Sequence, residues 1–191
     1  MIELRRGTST ARVLPEEGAV AASLSLDGRE LLCATRGAGE AGRVRPLART
    51  ESDWVRAWRG GWQLCFPTAG QPDDAEPGQG FHGAASQAPW KPLARAADRL
   101  ELAWEGQGLS ARRRWRVHED GLSATTLARN VGDRPARLAI AEHLVLGQAV
   151  LRGPLELEPP AGALLRPLDA DGGPDGEPVP WPGEPAQRWA H

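Results

Sequence analysis

No stretch of this 191-residue chain sustains apolar side chains at the i, i+3, i+4, i+7 spacing of an amphipathic helix. Its 23 glycines and 17 prolines also interrupt most windows before a helix could mature. A period of two appears instead. Leu24 and Leu26 alternate with Ser23 and Ser25, and Trp115 and Val117 alternate with Arg114, Arg116 and His118, the pattern of strands that bury one face. Asp27-Gly28 and Asp120-Gly121 each lie between two such runs. Asp-Gly supplies the positive φ angles of tight turns, so two hairpins are expected. Further short strands are expected over residues 100–104, 122–129 and 137–146. The fold class is all-β.

A chain of this length with 40% hydrophobic residues builds one sizeable core. The expected division is a β-sandwich over residues 1–153 and a C-terminal strand and loop extension over 154–191. Within that extension, Asp169 to Pro185 is dense in proline, glycine and acidic residues, too poor in apolar area to offset chain entropy. Trp181 and Trp189 are its candidate anchors. Residues 67–92 form a long Gly/Pro-rich connection, of a kind that inside a compact domain usually builds a site.

Lys and Arg nearly balance Asp and Glu, for a net charge of -2, which provides no global field for nucleic acid or an anionic membrane. The run Arg112-Arg113-Arg114-Trp115-Arg116 is read as the solvated face of a strand. Gly37-Ala38-Gly39 and Gly60-Gly61 match neither a phosphate loop nor a dinucleotide fingerprint, so no cofactor is expected. Cys33 and Cys65 lack metal-ligand spacing, so no metal is expected and the reduced cytoplasm is the expected compartment. No leader or membrane-spanning run is read in the sequence, so membrane association is not expected.

Gly60-Gly61-Trp62-Gln63-Leu64-Cys65-Phe66-Pro67-Thr68-Ala69-Gly70 is followed by Gly80-Phe81-His82-Gly83-Ala84-Ala85 and then by Trp90. Asn130-Val131-Gly132-Asp133-Arg134-Pro135 later leads into Ala141-Glu142-His143-Leu144-Val145-Leu146-Gly147. This order resembles the aldose 1-epimerase (galactose mutarotase-like) family over about residues 10–150, with His-Gly-x-Ala its most specific block. The resemblance implies a mutarotase-like β-sandwich (supersandwich), incomplete in this chain. It also implies a cofactor-free isomerase that acts on a free hexose in carbohydrate metabolism.

Interconverting anomers requires one base at the anomeric hydroxyl and one acid at the ring oxygen. The resemblance makes His143 the general acid and His82 a supporting hydrogen-bond donor, a role for which an imidazole is suited by its near-neutral pKa. Gln71 stands where many relatives carry an arginine, and can bond sugar hydroxyls without a charge. Trp62 and Trp90, with Trp54 and Trp58 nearby in sequence, can stack on a sugar face or fill a core. The family's catalytic glutamate has no obvious counterpart. Glu142 should point away from His143 on a strand, while Glu156, Glu158, Glu177 and Glu184 stay open.

Two other readings stand beside the isomerase. One is a non-catalytic carbohydrate-binding protein or inactive remnant of the family. The other is a hexose-6-phosphate 1-epimerase, in which Arg95, Arg112 or Arg114 selects the phosphate. An incomplete sandwich also exposes strand edges, so a homodimer or a partner-completed sheet is expected.

Overall fold

The computed structural model describes residues 1–35, 38, 47–72, 77–152, 161–166 and 176–180. Residues Met1–Gly153 and Pro154–His191 form separate compact units. The first contains β1 (Ile2–Arg6), β2 (Ser9–Leu14), β3 (Val20–Leu26), β4 (Arg29–Glu30), α1 (Glu51–Arg56), β5 (Trp62–Cys65), β6 (Lys91–Arg95), β7 (Arg99–Gly106), β8 (Leu109–His118), β9 (Gly121–Asn130), β10 (Ala141–Leu144) and α2 (Gln148–Leu151). In the second, β11 (Leu164–Leu165) pairs antiparallel with β12 (Val179–Pro180). Trp181, Trp189, Glu156, Glu158 and Glu184 lie outside the described residues, as do Gly37 and Gly39.

The chain is nearly all β, and the first unit holds two antiparallel sheets. One runs β1-β2-β3-β5-β10 with β4 on β3, and the other runs β6-β7-β8-β9. Alternation along the strands decides the packing. Leu4, Ala11, Val13, Ala21 and Leu64 of the first sheet meet Leu100, Leu102, Ala111, Trp115 and Val117 of the second in one core. The three-residue window Ala111-Arg112-Arg113 departs from a simple apolar/polar alternation, because Arg113 shares the inward face and is fully buried.

Local turn chemistry sets the hairpins. Leu26 pairs with Arg29, and Asp27 and Gly28 between them have φ of 49° and 75°, as a type I′ turn requires. The second hairpin forms where expected, with a different turn. His118 already pairs with Gly121, so Glu119 and Asp120 form the loop without positive φ. Register is fixed there by the inward set Trp115, Val117 and Leu122 rather than by the Asp-Gly dipeptide. The strand expected over 137–146 is shorter: only Ala141–Leu144 pair with β5. Residues 137–140 are exposed, which leaves too little buried surface to hold a longer strand.

Candidate functional site

β5 and β10 are adjacent, with Ala141 opposite Cys65, Glu142 opposite Leu64, His143 opposite Gln63 and Leu144 opposite Trp62. Because successive side chains alternate, Trp62, Leu64 and Glu142 take the inner face, and Gln63, Cys65 and His143 take the outer one. Bonds from the Phe66 N–H to the His82 carbonyl and from the His82 N–H to the Gly70 carbonyl bring His82 to that outer face. Ring centroids of His82 and His143 are 5.8 Å apart.

His82 is held from three sides. Its N–H donates to the Gly70 carbonyl (2.8 Å), its carbonyl accepts from the Phe66 N–H (3.1 Å), and its Nδ1 accepts from the Gly70 N–H (2.9 Å). A backbone N–H can only donate, so Nδ1 carries the lone pair and the ring proton sits on Nε2. His82 is therefore a neutral hydrogen-bond donor. Burial, and secondarily His143, push its pKa down to about 4. The residue adopts φ of 59°, and its ring lies 4.2 Å from Phe81 and edge-on to Trp54 at 4.9 Å.

The connection itself is tied down. Gln87 accepts from the Ala48 N–H (2.7 Å) through Oε1 and donates through Nε2 to the carbonyls of Ala48 (3.2 Å) and Phe81 (2.9 Å). Ala48, Trp54 and Phe81 form a second small buried cluster, with Trp58 packed against it. Arg59, buried near Trp54, donates to Glu17 at 3.2 Å.

Two buried polar atoms on the outer face have no hydrogen-bond partner, Oε1 of Gln63 and Nδ1 of His143. They belong to cross-strand neighbours. An unpaired polar atom in such a place is suited to a water or a ligand hydroxyl. Cys65, on the same face, is pushed up to about 11 by burial and then by Glu142, which keeps it a thiol and no nucleophile.

No protein-family model matches the sequence, and no curated protein matches it. Two solved structures are similar to it. One is a putative aldose 1-epimerase from Escherichia coli K12, at 17% identity and a TM-score of 0.48, covering 67% of this chain and 45% of that one. The other is a galactose mutarotase-like protein from Lactobacillus casei, at 14% identity and a TM-score of 0.48, covering 68% and 44%. The chain thus spans less than half the length of either.

Of the residues singled out in the sequence, His82 and His143 come together, and Gln71 follows Gly70, the backbone partner of His82, on an exposed bend. Trp62 and Trp90 do not join them. Trp62 turns to the inner face, where it meets Trp115 edge-on at 5.2 Å and donates to Glu142 at 2.7 Å. Trp90 is 1% exposed, and its Nε1 donates to the Ala85 carbonyl at 2.8 Å. Both its faces are in the core, which leaves none for a sugar. Trp54, itself buried, meets the ring of His82 edge-on.

Arg112 and Arg114 lie on the outer face of the opposite sheet, each bridged to Glu101 at 3.7 and 3.2 Å, and Arg95 is exposed on β6. None is available to select a phosphate beside the histidines. Glu142 projects from the opposite face of β10, where its partly exposed carboxylate is taken by Arg113 and Trp62. Gln63 was not among the residues read as functional, although its place one position from Trp62 on a strand puts it on the opposite face. Among the described residues no helix is long and apolar enough to cross a membrane.

Proposed function

We propose that the outer face of β5 and β10 binds a free pyranose and that the chain is an aldose 1-epimerase-type isomerase. The observation that carries this reading is the meeting of His82 and His143, distant in sequence, on one sheet face with their rings 5.8 Å apart. His82, locked as the neutral Nε2–H tautomer, is suited to donate a hydrogen bond to a sugar oxygen. His143 is suited to deliver a proton to the ring oxygen while the anomeric hydroxyl loses its own to a base. The C1–ring-oxygen bond then breaks to give the open-chain aldehyde. Rotation about C1–C2 and reversal of the same proton movements close the other anomer. Gln71, on its bend beside Gly70, can bond a hydroxyl at the rim.

The test is two-dimensional exchange NMR on glucose, galactose and their 6-phosphates, with the protein and its His143→Ala variant. The expected result is faster α-to-β exchange of an unphosphorylated hexose that the variant loses. Equal exchange in both would overturn the acid role of His143.

A second reading, a binding protein without catalysis, is favoured by one observation. Glu142, the carboxylate nearest His143 in sequence, is turned to the opposite face and engaged there, so it does not serve as the base. Calorimetric saccharide binding with no change in exchange rate would decide for this reading.

A further inference from the structure

Arg113 is the most deeply buried charge in the described molecule, at 0% side-chain exposure. Its two terminal nitrogens each donate to Glu142, to Oε1 and Oε2 at 2.8 Å, and one also donates to Thr126 at 2.7 Å. The guanidinium lies 4.2 Å from the centroid of the Trp115 ring, Trp115 meets Trp62 edge-on at 5.2 Å, and Trp62 donates to Glu142 at 2.7 Å. Arg113, Glu142, Trp62 and Trp115 thus form a closed ring of contacts. The ring ties β8 of one sheet to both β5 and β10 of the other.

The two strand residues in this ring, Trp62 and Glu142, immediately precede Gln63 and His143. β10 is only four residues long and pairs on one side, with β5. Backbone bonds flank it, from the Ala139 N–H to the Pro67 carbonyl (2.8 Å) and from the Val145 N–H to the Gly61 carbonyl (2.9 Å), and within the strand an anchored face adds to the register they set. A slip of one residue would exchange the faces of Glu142 and His143. It would carry the carboxylate out to His82, turn the imidazole toward Arg113, and leave Arg113 buried without its anion. An ion pair in which the arginine is fully buried gains little net stability over apolar residues of similar size, so its physical value here is geometric. The bidentate fork accepts one carboxylate position and orientation.

The geometry points to Arg113 as a positioning residue for His143: the Arg113–Glu142 fork sets the register and tilt of β10, and so the place of the imidazole on the opposite face. Its importance to turnover rests on the sugar-isomerase reading above, but its effect on His143 does not.

The experiment compares the imidazole signals of His143 in long-range proton–nitrogen NMR spectra of the full chain and three variants. His143→Gln assigns the signals. Arg113→Met removes the fork, and the Arg113→Met/Glu142→Leu pair removes both charges, so that the fold survives if the single change leaves an unpaired carboxylate that unfolds it. The folded double variant is expected to shift and broaden the His143 signals while those of His118 stay in place. Where the parent accelerates anomer exchange, the double variant should lose at least about tenfold, with Glu142→Gln intermediate because it keeps an acceptor. Unchanged His143 signals in a folded double variant would overturn the positioning role. A parent protein with no exchange and no saccharide binding would overturn the isomerase reading alone, since the His143 comparison is made without sugar.

Discussion

Adding one methyl group at Gly83 separates backbone strain from close packing at the site. Gly83 has φ of 82° and ψ of 151°, a region that L-residues enter at a cost of about 1–3 kcal/mol. A Cβ there would stand 2.1 Å from the Phe66 oxygen, 2.2 Å from the Phe66 carbon and 2.5 Å from the Pro67 nitrogen. All three are backbone atoms, so no side chain can rotate away. Reaching even 3.0 Å, below which real Cβ atoms essentially never approach, takes a backbone shift of nearly 1 Å (3.0 less 2.1). Such a shift pulls apart the bonds from the Phe66 N–H to the His82 carbonyl and from the Ala85 N–H to the Phe66 carbonyl, both 3.1 Å. At roughly 0.5–1.5 kcal/mol each, the two bonds bring the expected loss for Gly83→Ala to about 2–6 kcal/mol. Gly28→Ala is the control, because φ there is 75° and no atom lies within 4 Å of the added methyl. It should lose only about 1–2 kcal/mol. Urea unfolding with linear extrapolation measures both. An NMR titration of His82 reads the local consequence, a midpoint rising from about 4 toward the ordinary histidine range as its burial is lost. Equal losses for the two variants, with the His82 midpoint unmoved, would refute the close-approach argument.

The depressed pKa of His82 makes stability depend on pH. The folded chain holds the ring neutral to about pH 4 while the unfolded chain protonates near 6.5, so the unfolded state binds the extra proton between these values. Stability should therefore be lost as pH falls from about 6.5 through 4, by a ceiling of about 3 kcal/mol that solvent access to the half-buried ring reduces to about 1–2. His82→Gln should remove that slope in denaturation curves taken at stepped pH, and an unchanged slope would assign it to another group. Trp90→Ala should cost about 3–5 kcal/mol as a core truncation, with saccharide affinity of the folded fraction unchanged by calorimetry; a selective loss of affinity would return Trp90 to the site. β9 and β10 end their sheets, and Leu127 and Leu144 on them, with Val131 just after β9 and Ile140 just before β10, are each at least 45% exposed. Light scattering is expected to show a dimer through these edges, and a monomer at all concentrations would contradict it.

The two sheets were legible because period two and turn residues are local. Residues 23–30 and 114–129 give their hairpins directly, while the exact loop of the second does not follow from Asp120-Gly121, since the burial of Trp115, Val117 and Leu122 overrides a dipeptide preference. The meeting of His82 and His143 was legible only through the family resemblance. It depends on bonds such as those that tie Gly70 and Phe66 to His82, which carry no periodic signal. Arg113 was hidden by composition. Read as one of a run of arginines it belongs to a solvated face, yet its spacing of two from Ala111 and Trp115 places it with the inward set. Position, in that strand, carries more than residue type.

The same alternation constrains the chemistry. Adjacent residues on a strand cannot both serve one bound sugar, so the order Glu142-His143 gives the outer site an imidazole and denies it the carboxylate. His82, fixed as a neutral donor by the Gly70 N–H, cannot act as a base through Nδ1 without breaking that bond. On the proposed isomerase reading, binding and proton transfer are therefore separable: hydroxyl recognition would draw on His82 and Gln71, whereas ring opening would draw on His143 together with a base from beyond this histidine pair. Loss of His143 should reach catalysis first, and loss of His82 should reach affinity and catalysis together. That ordering follows from which nitrogen each ring has free, and it holds whether the missing base is a carboxylate elsewhere or water.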